Sequence, residues 1–308
     1  MSFNFYFAGS TYESSTNEIR KLGCNQLLSQ IERKPIADWC QYLRAHPECK
    51  SKLFIDSGAF TAHTKGKQVD VDEYINFINS IDDCIHVFAQ VDCIPGTFGK
   101  PRTEEENRIA PQKSWENYLY MVDKVKSPDK LLPIFHQGED FKWLKNMLEY
   151  RHPDGHSIKY IGISYAKDMP ISIARSWLVK CFEIVKSSSN PNVCSHCFGS
   201  ASRNTLENFP FTSSDSTTWI RVASKGSIII NGKTIYVSDQ NLLSDKNVET
   251  MSDLSKSVVE NKLKEYGYTL KQASEHVENR MLINIHAIKE WADNYNYRGD
   301  NNFKISLF

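Results

Sequence analysis

Three aspartates in this 308-residue chain stand where short apolar runs give out. Leu53–Ile55 leads into Asp56, Val87–Val91 into Asp92, and Phe211–Ser214 into Asp215. A carboxylate at the end of a buried run is costly unless it is paired or hydrogen-bonded. Each aspartate alone could cap the helix that follows it. Taken together, with Gln137 and the glycine-bearing ends at Gly162 and Gly199, they fit a polar site better than three separate caps. Converging carboxylates can supply a proton donor or acceptor and a nucleophile. His136 and His196 also lie on apolar runs and read as core histidines rather than catalysts.

Such a site needs strands that all end on one side. Short runs rich in Ile, Val, Phe or Tyr predict strands at Asn4–Ala8, Leu53–Asp56, His86–Asp92, Leu132–Gln137, Tyr160–Ser164, Val193–Phe198 and Phe211–Ser214. An eighth is expected within Ser227–Val237. Helical spacing covers Asn17–Ile31, Asp72–Ile81, Ser114–Val125, Asp140–Tyr150 and Ile171–Val185, the last preceded by Pro170. The Glu104–Glu106 run reads as a helix start favoured by the dipole. Alternating strands and helices imply a mostly parallel sheet. No glycine-rich turn follows the first strand, and the strand count favours a (β/α)8 TIM barrel over a doubly wound sheet. In that fold, chemistry gathers at the carboxyl ends of the strands. After residue 225, Asn231-Gly232 between two apolar runs is a β-hairpin signature, and helical spacing follows from Met251 to about Asn294. The expected organisation is a barrel over 1–240 and a helical C-terminal extension over 241–308 packed on it.

Composition sets the outer bounds. With 37 Lys+Arg against 37 Asp+Glu and 40% hydrophobic residues, the chain has a globular composition and no basic excess of the kind a generic nucleic-acid or membrane binder carries. No run approaches the roughly 18 apolar residues of a membrane span. The amino-terminal stretch MSFNFYFAGSTYESS lacks the cationic lead of a signal peptide. Eight cysteines without an export signal point to thiols in a reducing, cytoplasmic compartment.

The ordered segments resemble the tRNA-guanine transglycosylase superfamily of (β/α)8 barrels, and within it the phage and bacterial members that modify DNA. Phe54–Phe60 is similar to the family's DSGGF/Y motif, with Ala59 in place of the second glycine. Val91–Pro95 resembles the base-recognition aspartate segment, Phe135–Gly138 the VQGG segment, and Ile161–Ser164 the glycine-bearing strand. His196–Gly199 followed by Phe211–Ser216 resembles the part that carries the nucleophile. The resemblance implies an enzyme, a pentosyltransferase exchanging guanine in double-stranded DNA for a 7-deazaguanine base of the preQ0 type. It makes Asp215 the nucleophile and Asp56 the general acid and base. Asp92 would read the donor edge of the purine, with Gln137, Gly138 and the backbone at Gly162 at its carbonyl. Ser57 would position Asp56 or touch the base, Phe60 and Phe198 would sandwich the ring, and Gly199 would line the same site. Lys65, Lys67, Lys100, Arg102, Arg203, Arg221 and Lys225 are candidates for phosphate contacts.

The tRNA-modifying members carry a zinc site after the nucleophile, whereas no cysteine here follows Cys197. Cys194-Ser195-His196-Cys197 lies before Asp215 and lacks a second ligand pair. No metal and no redox cofactor are therefore expected, the deazaguanine base being a substrate. The alternatives are the same exchange on tRNA and a non-catalytic accessory barrel subunit.

Overall fold

Period-two alternation along the strands decides which side chains fill the centre of the sheet and which meet the helices. The computed structural model describes residues 3–97, 100, 103–166, 170–239 and 244–295. The chain opens with β1 (Asn4–Ala8), α1 (Glu13–Lys21), β2 (Asn25–Ser29), α2 (Arg33–Ala45), β3 (Leu53–Asp56), α3 (Ala59–Thr64), α4 (Val71–Ser80) and β4 (Ile85–Ala89). It continues through α5 (Glu104–Lys124), β5 (Leu131–Leu132), β6 (Ile134–His136), α6 (Phe141–Glu149), β7 (Tyr160–Ser164) and α7 (Ile171–Ser187). Then come β8 (Cys194–Cys197), α8 (Arg203–Asn208), β9 (Ser213–Ser216), α9 (Thr218–Ser224), β10 (Ser227–Ile230) and β11 (Lys233–Tyr236). Helices α10 (Asp253–Glu265), α11 (Leu270–Glu275) and α12 (Val277–Asp293) close the described chain.

β1 to β9 form one parallel sheet in the order β5-β4-β3-β2-β1-β9-β8-β7-β6. Its two end strands are adjacent in the chain, separated only by Pro133. The sheet therefore curls into a nearly closed, TIM-like barrel. Proline has no N–H to donate to a ladder, which accounts for the break between β5 and β6. On either side of it, Gln90 N–H donates to Leu132 O at 3.0 Å and Gly162 N–H to Pro133 O at 2.7 Å.

Tyr6, Ala8, Leu27, Phe54, Val87, Ala89, Leu132 and Ile134 form the inner core. Their neighbours in sequence, among them Phe5, Phe7, Leu28, Ile55 and Phe135, pack outward among Trp39, Tyr74, Tyr118 and Trp219 of the helical layer. No described helix is long and apolar enough to cross a membrane.

Three departures from the sequence expectation have local causes. The helix expected over Asn17–Ile31 stops at Lys21, and Gly23 (φ 65°) turns the chain into β2. Leu27 and Leu28 face opposite sides of the sheet there, and their spacing from Leu22 and Ile31 imitates a helical stripe. Ser227–Val237 adds no barrel strand; β10 and β11 make a separate antiparallel pair. Asn231 and Gly232 have φ of 49° and 78°, the left-handed pair a tight hairpin requires. β9 begins at Ser213 rather than Phe211, because Phe209 and Phe211 are spent in the outer core. Helix α5 starts at Glu104, as the acidic run there predicts, and continues without a break through the stretch expected from Ser114; a capping box between Thr103 and Glu106 secures its start, and Pro111 lies inside it.

The extension expected over 241–308 is described for 244–295. Helix α12 packs against α9, α1 and β10. A second core joins Ile228, Ile230 and Ile235 of the hairpin to Val259, Leu263 and Ile283. Asn284 fastens this layer: its Oδ1 accepts from Ile229 N–H at 2.7 Å and its Nδ2 donates to Trp219 O at 3.1 Å. Asn284 is fully buried, so Asn284→Ala removes the side-chain partner of Ile229 N–H and one hydrogen bond to Trp219 O in the interior. The expected cost is about 3 kcal/mol. Urea unfolding checks it, and an unchanged midpoint would show that the hairpin and α12 do not depend on this link.

Candidate active site

The inward side chains at the carboxyl ends of the strands are polar where those deeper in the barrel are apolar. In β9, Ser213 and Asp215 face inward, while Ser214 turns outward and donates to Cys197 O at 2.8 Å. Asp215 stands beside Tyr6 of β1 in register, and Asp56 beside Ser29 of β2. None of the three sequence-selected aspartates has the helix-capping role that would have explained it away. Asp56 Oδ2 accepts from Gly58 N–H at 2.9 Å within its own turn, and helix α3 has no side-chain cap. Asp215 is bonded across the site rather than to α9.

Asp215 is only 7% exposed, and its Oδ1 accepts two hydrogen bonds. Gly199 N–H donates at 2.7 Å and His196 Nε2 lies at 3.1 Å. Gly199 has φ 62°, a conformation that places its amide under the carboxylate at no Cβ cost. His196 is fully buried among Tyr6, Phe54 and Phe198, and its Nδ1 meets Ser213 Oγ at 2.5 Å. Ser213 Oγ in turn contacts Tyr160 OH. An ionised Asp215 can only accept, so Nε2 of His196 is a donor. In the tautomer with its proton on Nε2, Nδ1 accepts from Ser213 Oγ, whose oxygen can then accept from Tyr160 OH.

Asp92 pairs with His136 Nε2 at 3.0 Å. The backbone N–H of His136 donates to Glu139 Oε2 at 3.1 Å. Burial pushes the Glu139 carboxyl up; His136 and its backbone amide oppose that shift, and Asp92 adds to it. Asp56 responds to the whole group. Its carboxyl is raised to about 7, chiefly by burial; the Gly58 amide opposes the shift, and the charges of Asp92, Asp215 and Glu32 add to it. Glu32 is held at the same end by Ser10 Oγ at 2.6 Å and Ser29 N–H at 2.9 Å.

The other sequence-selected residues divide. Ser57 is buried below Asp56, and its Oγ accepts from Ala59 N–H at 3.4 Å. Gln137 Oε1 accepts from Ala166 N–H at 3.0 Å, which fixes the amide and leaves its NH2 as the group offered to a ligand. Phe198 lies across Gly162, where a Cβ would meet Phe198 Cε2 at 2.4 Å and Leu132 Cδ2 at 2.8 Å. Only glycine lets the ring rest on that strand. Gly138 is exposed with φ 101°, and Phe60 is 66% exposed on α3.

The basic candidates lie on several different elements. Lys65 and Lys67 are exposed just past α3, and Lys100 is exposed in the loop after β4. Arg203 packs its guanidinium over Trp291 at 5.5 Å and against the Gly232 turn, a structural use in the C-terminal layer. Arg221 and Lys225 are exposed on and just beyond α9, which leads the chain away from the strand ends. Arg102 lies outside the described residues.

Sequence reasoning read His196 and His136 as core histidines and passed over Glu139, Glu32, Ser213 and Tyr160. For His196 the signal was present: it falls on the inward side of β8, level with Ser213 of β9. Cys197 points outward into the helical layer, so the Cys194–Cys197 segment divides its possible ligands between two faces of the strand.

Comparison of the sequence with models of protein families and with the curated proteins finds no match.

The raised carboxyl of Asp56 carries a stability consequence. Between its unfolded value near 4 and its folded value of about 7, the folded chain holds a proton that the unfolded chain has lost. Stability from this group therefore falls as pH rises through that window. Asp56→Asn keeps the shape and removes the buried charge, so at pH 8 it is expected to unfold about 2 kcal/mol later than the parent. The gap should close toward pH 4. Denaturant titrations at both pH values check this, and equal stability at pH 8 would contradict the assigned environment.

Proposed function

We propose that the protein is a DNA-guanine transglycosylase of the cytoplasm. It would exchange guanine for a 7-deazaguanine base by double displacement on a (β/α)8 barrel. In this reading Leu131–His136 is one barrel strand interrupted at Pro133, which makes the strand count eight. The observation that carries the function is the mutual placement of Asp56, Asp92 and Asp215. They lie at one end of the barrel, where burial first, and then the charges of Asp92 and Asp215, raise the carboxyl of Asp56 to about 7.

In the first half-reaction, a carboxylate oxygen of Asp215 attacks C1′ of the target nucleotide as its bond to the guanine nitrogen breaks. The protonated carboxyl of Asp56 gives its proton to the departing base. In the second, the Asp56 carboxylate takes the proton from the ring N–H of the incoming deazaguanine. That nitrogen then forms the new bond to C1′ and expels Asp215, with retention of configuration overall. A value of about 7 suits a group that must give and take a proton at neutral pH.

The two hydrogen bonds on Oδ1 of Asp215 fix the carboxylate and leave Oδ2 for the attack. Asp92, oriented by His136, offers an acceptor to the purine's N–H and amino groups, and the NH2 of Gln137 a donor to its carbonyl. Phe198 supplies a ring for stacking, and the exposed Phe60 a second. No redox cofactor enters these steps.

Asp215→Asn is expected to reduce incorporation of labelled guanine or deazaguanine into duplex DNA by at least about a thousandfold. Parallel reactions with duplex DNA and with tRNA identify the nucleic acid, and full exchange activity in Asp215→Asn would overturn the mechanism. Asp92→Ala should keep the fold, followed by circular dichroism, yet lose discrimination between guanine and adenine as the free base. Unchanged discrimination would remove Asp92 from base recognition.

A further inference from the structure

The end of the barrel opposite the three aspartates carries a second group of ligating side chains. Asp129 lies in a short helical turn, Pro128–Lys130, that feeds β5. His152 and His156 lie in the turn that precedes β7. One ring nitrogen of each histidine and a carboxylate oxygen of Asp129 all lie within 4.8 Å of one another.

The backbone builds this arrangement deliberately tightly. Within His152-Pro153-Asp154-Gly155-His156, Gly155 N–H donates to His152 O at 2.8 Å and His152 N–H to His156 O at 2.9 Å. Gly155 has φ 88°, which only glycine adopts readily. Arg151 and Ser157 pair across the base of the turn. The two imidazoles are thereby stacked, 4.3 Å between centroids and 14° from parallel, with the edge of Tyr150 against His152 at 5.1 Å.

The polar atoms of the group are not satisfied among themselves. His152 is 4% exposed, and its Nδ1 is buried without a hydrogen-bond partner. His156 Nε2 contacts Asp129 Oδ1, yet it too is buried without an aligned hydrogen bond. The other nitrogen of His156 contacts Asp154. A carboxylate behind a histidine is the arrangement that orients metal-binding imidazoles. Lys159 contacts the second oxygen of Asp129 and weakens, without abolishing, the negative charge offered there.

We propose that Asp129, His152 and His156 bind a divalent transition-metal ion, zinc being the natural candidate, and so join the Pro128–Lys130 turn to the turn before β7. Two imidazoles and one carboxylate suit zinc, cobalt, nickel or copper, whereas calcium and magnesium prefer oxygen ligands. Water completes a four-coordinate shell. The site is separate from Cys194–Cys197 and stands independently of the transglycosylase reading. At the amino ends of the strands, where barrels keep stability rather than chemistry, its role is structural.

Tag-free protein stripped with chelator and titrated with cobalt(II) tests this through the visible d–d absorption of a bound ion, with zinc as competitor. The expected result is one equivalent per chain, displaced by zinc, and a thermal midpoint that rises with zinc. His156→Ala and Asp129→Asn, both at partly or fully exposed positions, should each weaken binding at least tenfold while keeping the parent's circular dichroism without metal. No saturable cobalt spectrum in the parent, or equal affinity in both variants, would overturn the site.

Discussion

The carboxylate of Asp215 is the constraint around which one side of this barrel is built. A charge at 7% exposure persists only where donors replace water. The donors come from β8 and the loop after it: His196 from the strand and the amide of Gly199 from the turn. Each brings its own requirement. His196 needs Ser213 behind it, Ser213 meets Tyr160 on β7, and Gly199 needs its left-handed backbone. Three successive strands are thus tied to one another by hydrogen bonds inside the barrel as well as by their ladders. The polar stretch Ser213–Ser216, a poor strand by its composition, is a buried strand because these partners satisfy it.

On the other side of the mouth the electrostatics run in the opposite sense. Asp56 has one amide donor and three carboxylate neighbours that oppose its charge, whereas Asp215 holds two donors on one oxygen. Chemically similar residues thereby stand in different surroundings, which is what the proposed acid–base and nucleophilic roles would require. Glu32 and Glu139 enlarge this acidic group beyond the three aspartates. Their partners, Ser10, Ser29 and the amide of His136, show that they are held at the mouth rather than left in solvent.

Much of this was legible in the chain, and the parts that were not have physical causes. The strand end at Asp56 and the loop that carries Asp92 could be read because apolar runs stop abruptly there; Asp215 sits inside a polar strand and was singled out by its motif. Asn25–Ser29 could not, because a strand of two adjacent leucines buried on opposite faces also satisfies helical spacing. The hairpin at Asn231-Gly232 was legible from turn chemistry, but its independence from the barrel depends on Ile283 and Val259, far along the chain. His196 was read as a core residue, and it is one; burial and contact with Asp215 are compatible because the inner core of this barrel becomes polar toward its mouth. Arg203 could be counted as a surface cation only until Trp291 and Gly232 were placed beside it. Sequence period locates side chains on a face, whereas partners from distant segments decide what they do there.

The break at Pro133 has a bearing on how the protein behaves toward other chains. A parallel sheet that stops short of closure ordinarily presents two rims of unpaired amides and carbonyls, templates on which foreign strands can grow. Here the two rims, β5 and β6, are consecutive pieces of one chain joined through a single residue that has no amide hydrogen to offer. They cannot drift apart to admit a foreign strand without stretching the backbone. The seam is sealed covalently, and the residue that interrupts the ladder is also the one least able to recruit a neighbour, which guards the barrel against edge-to-edge aggregation.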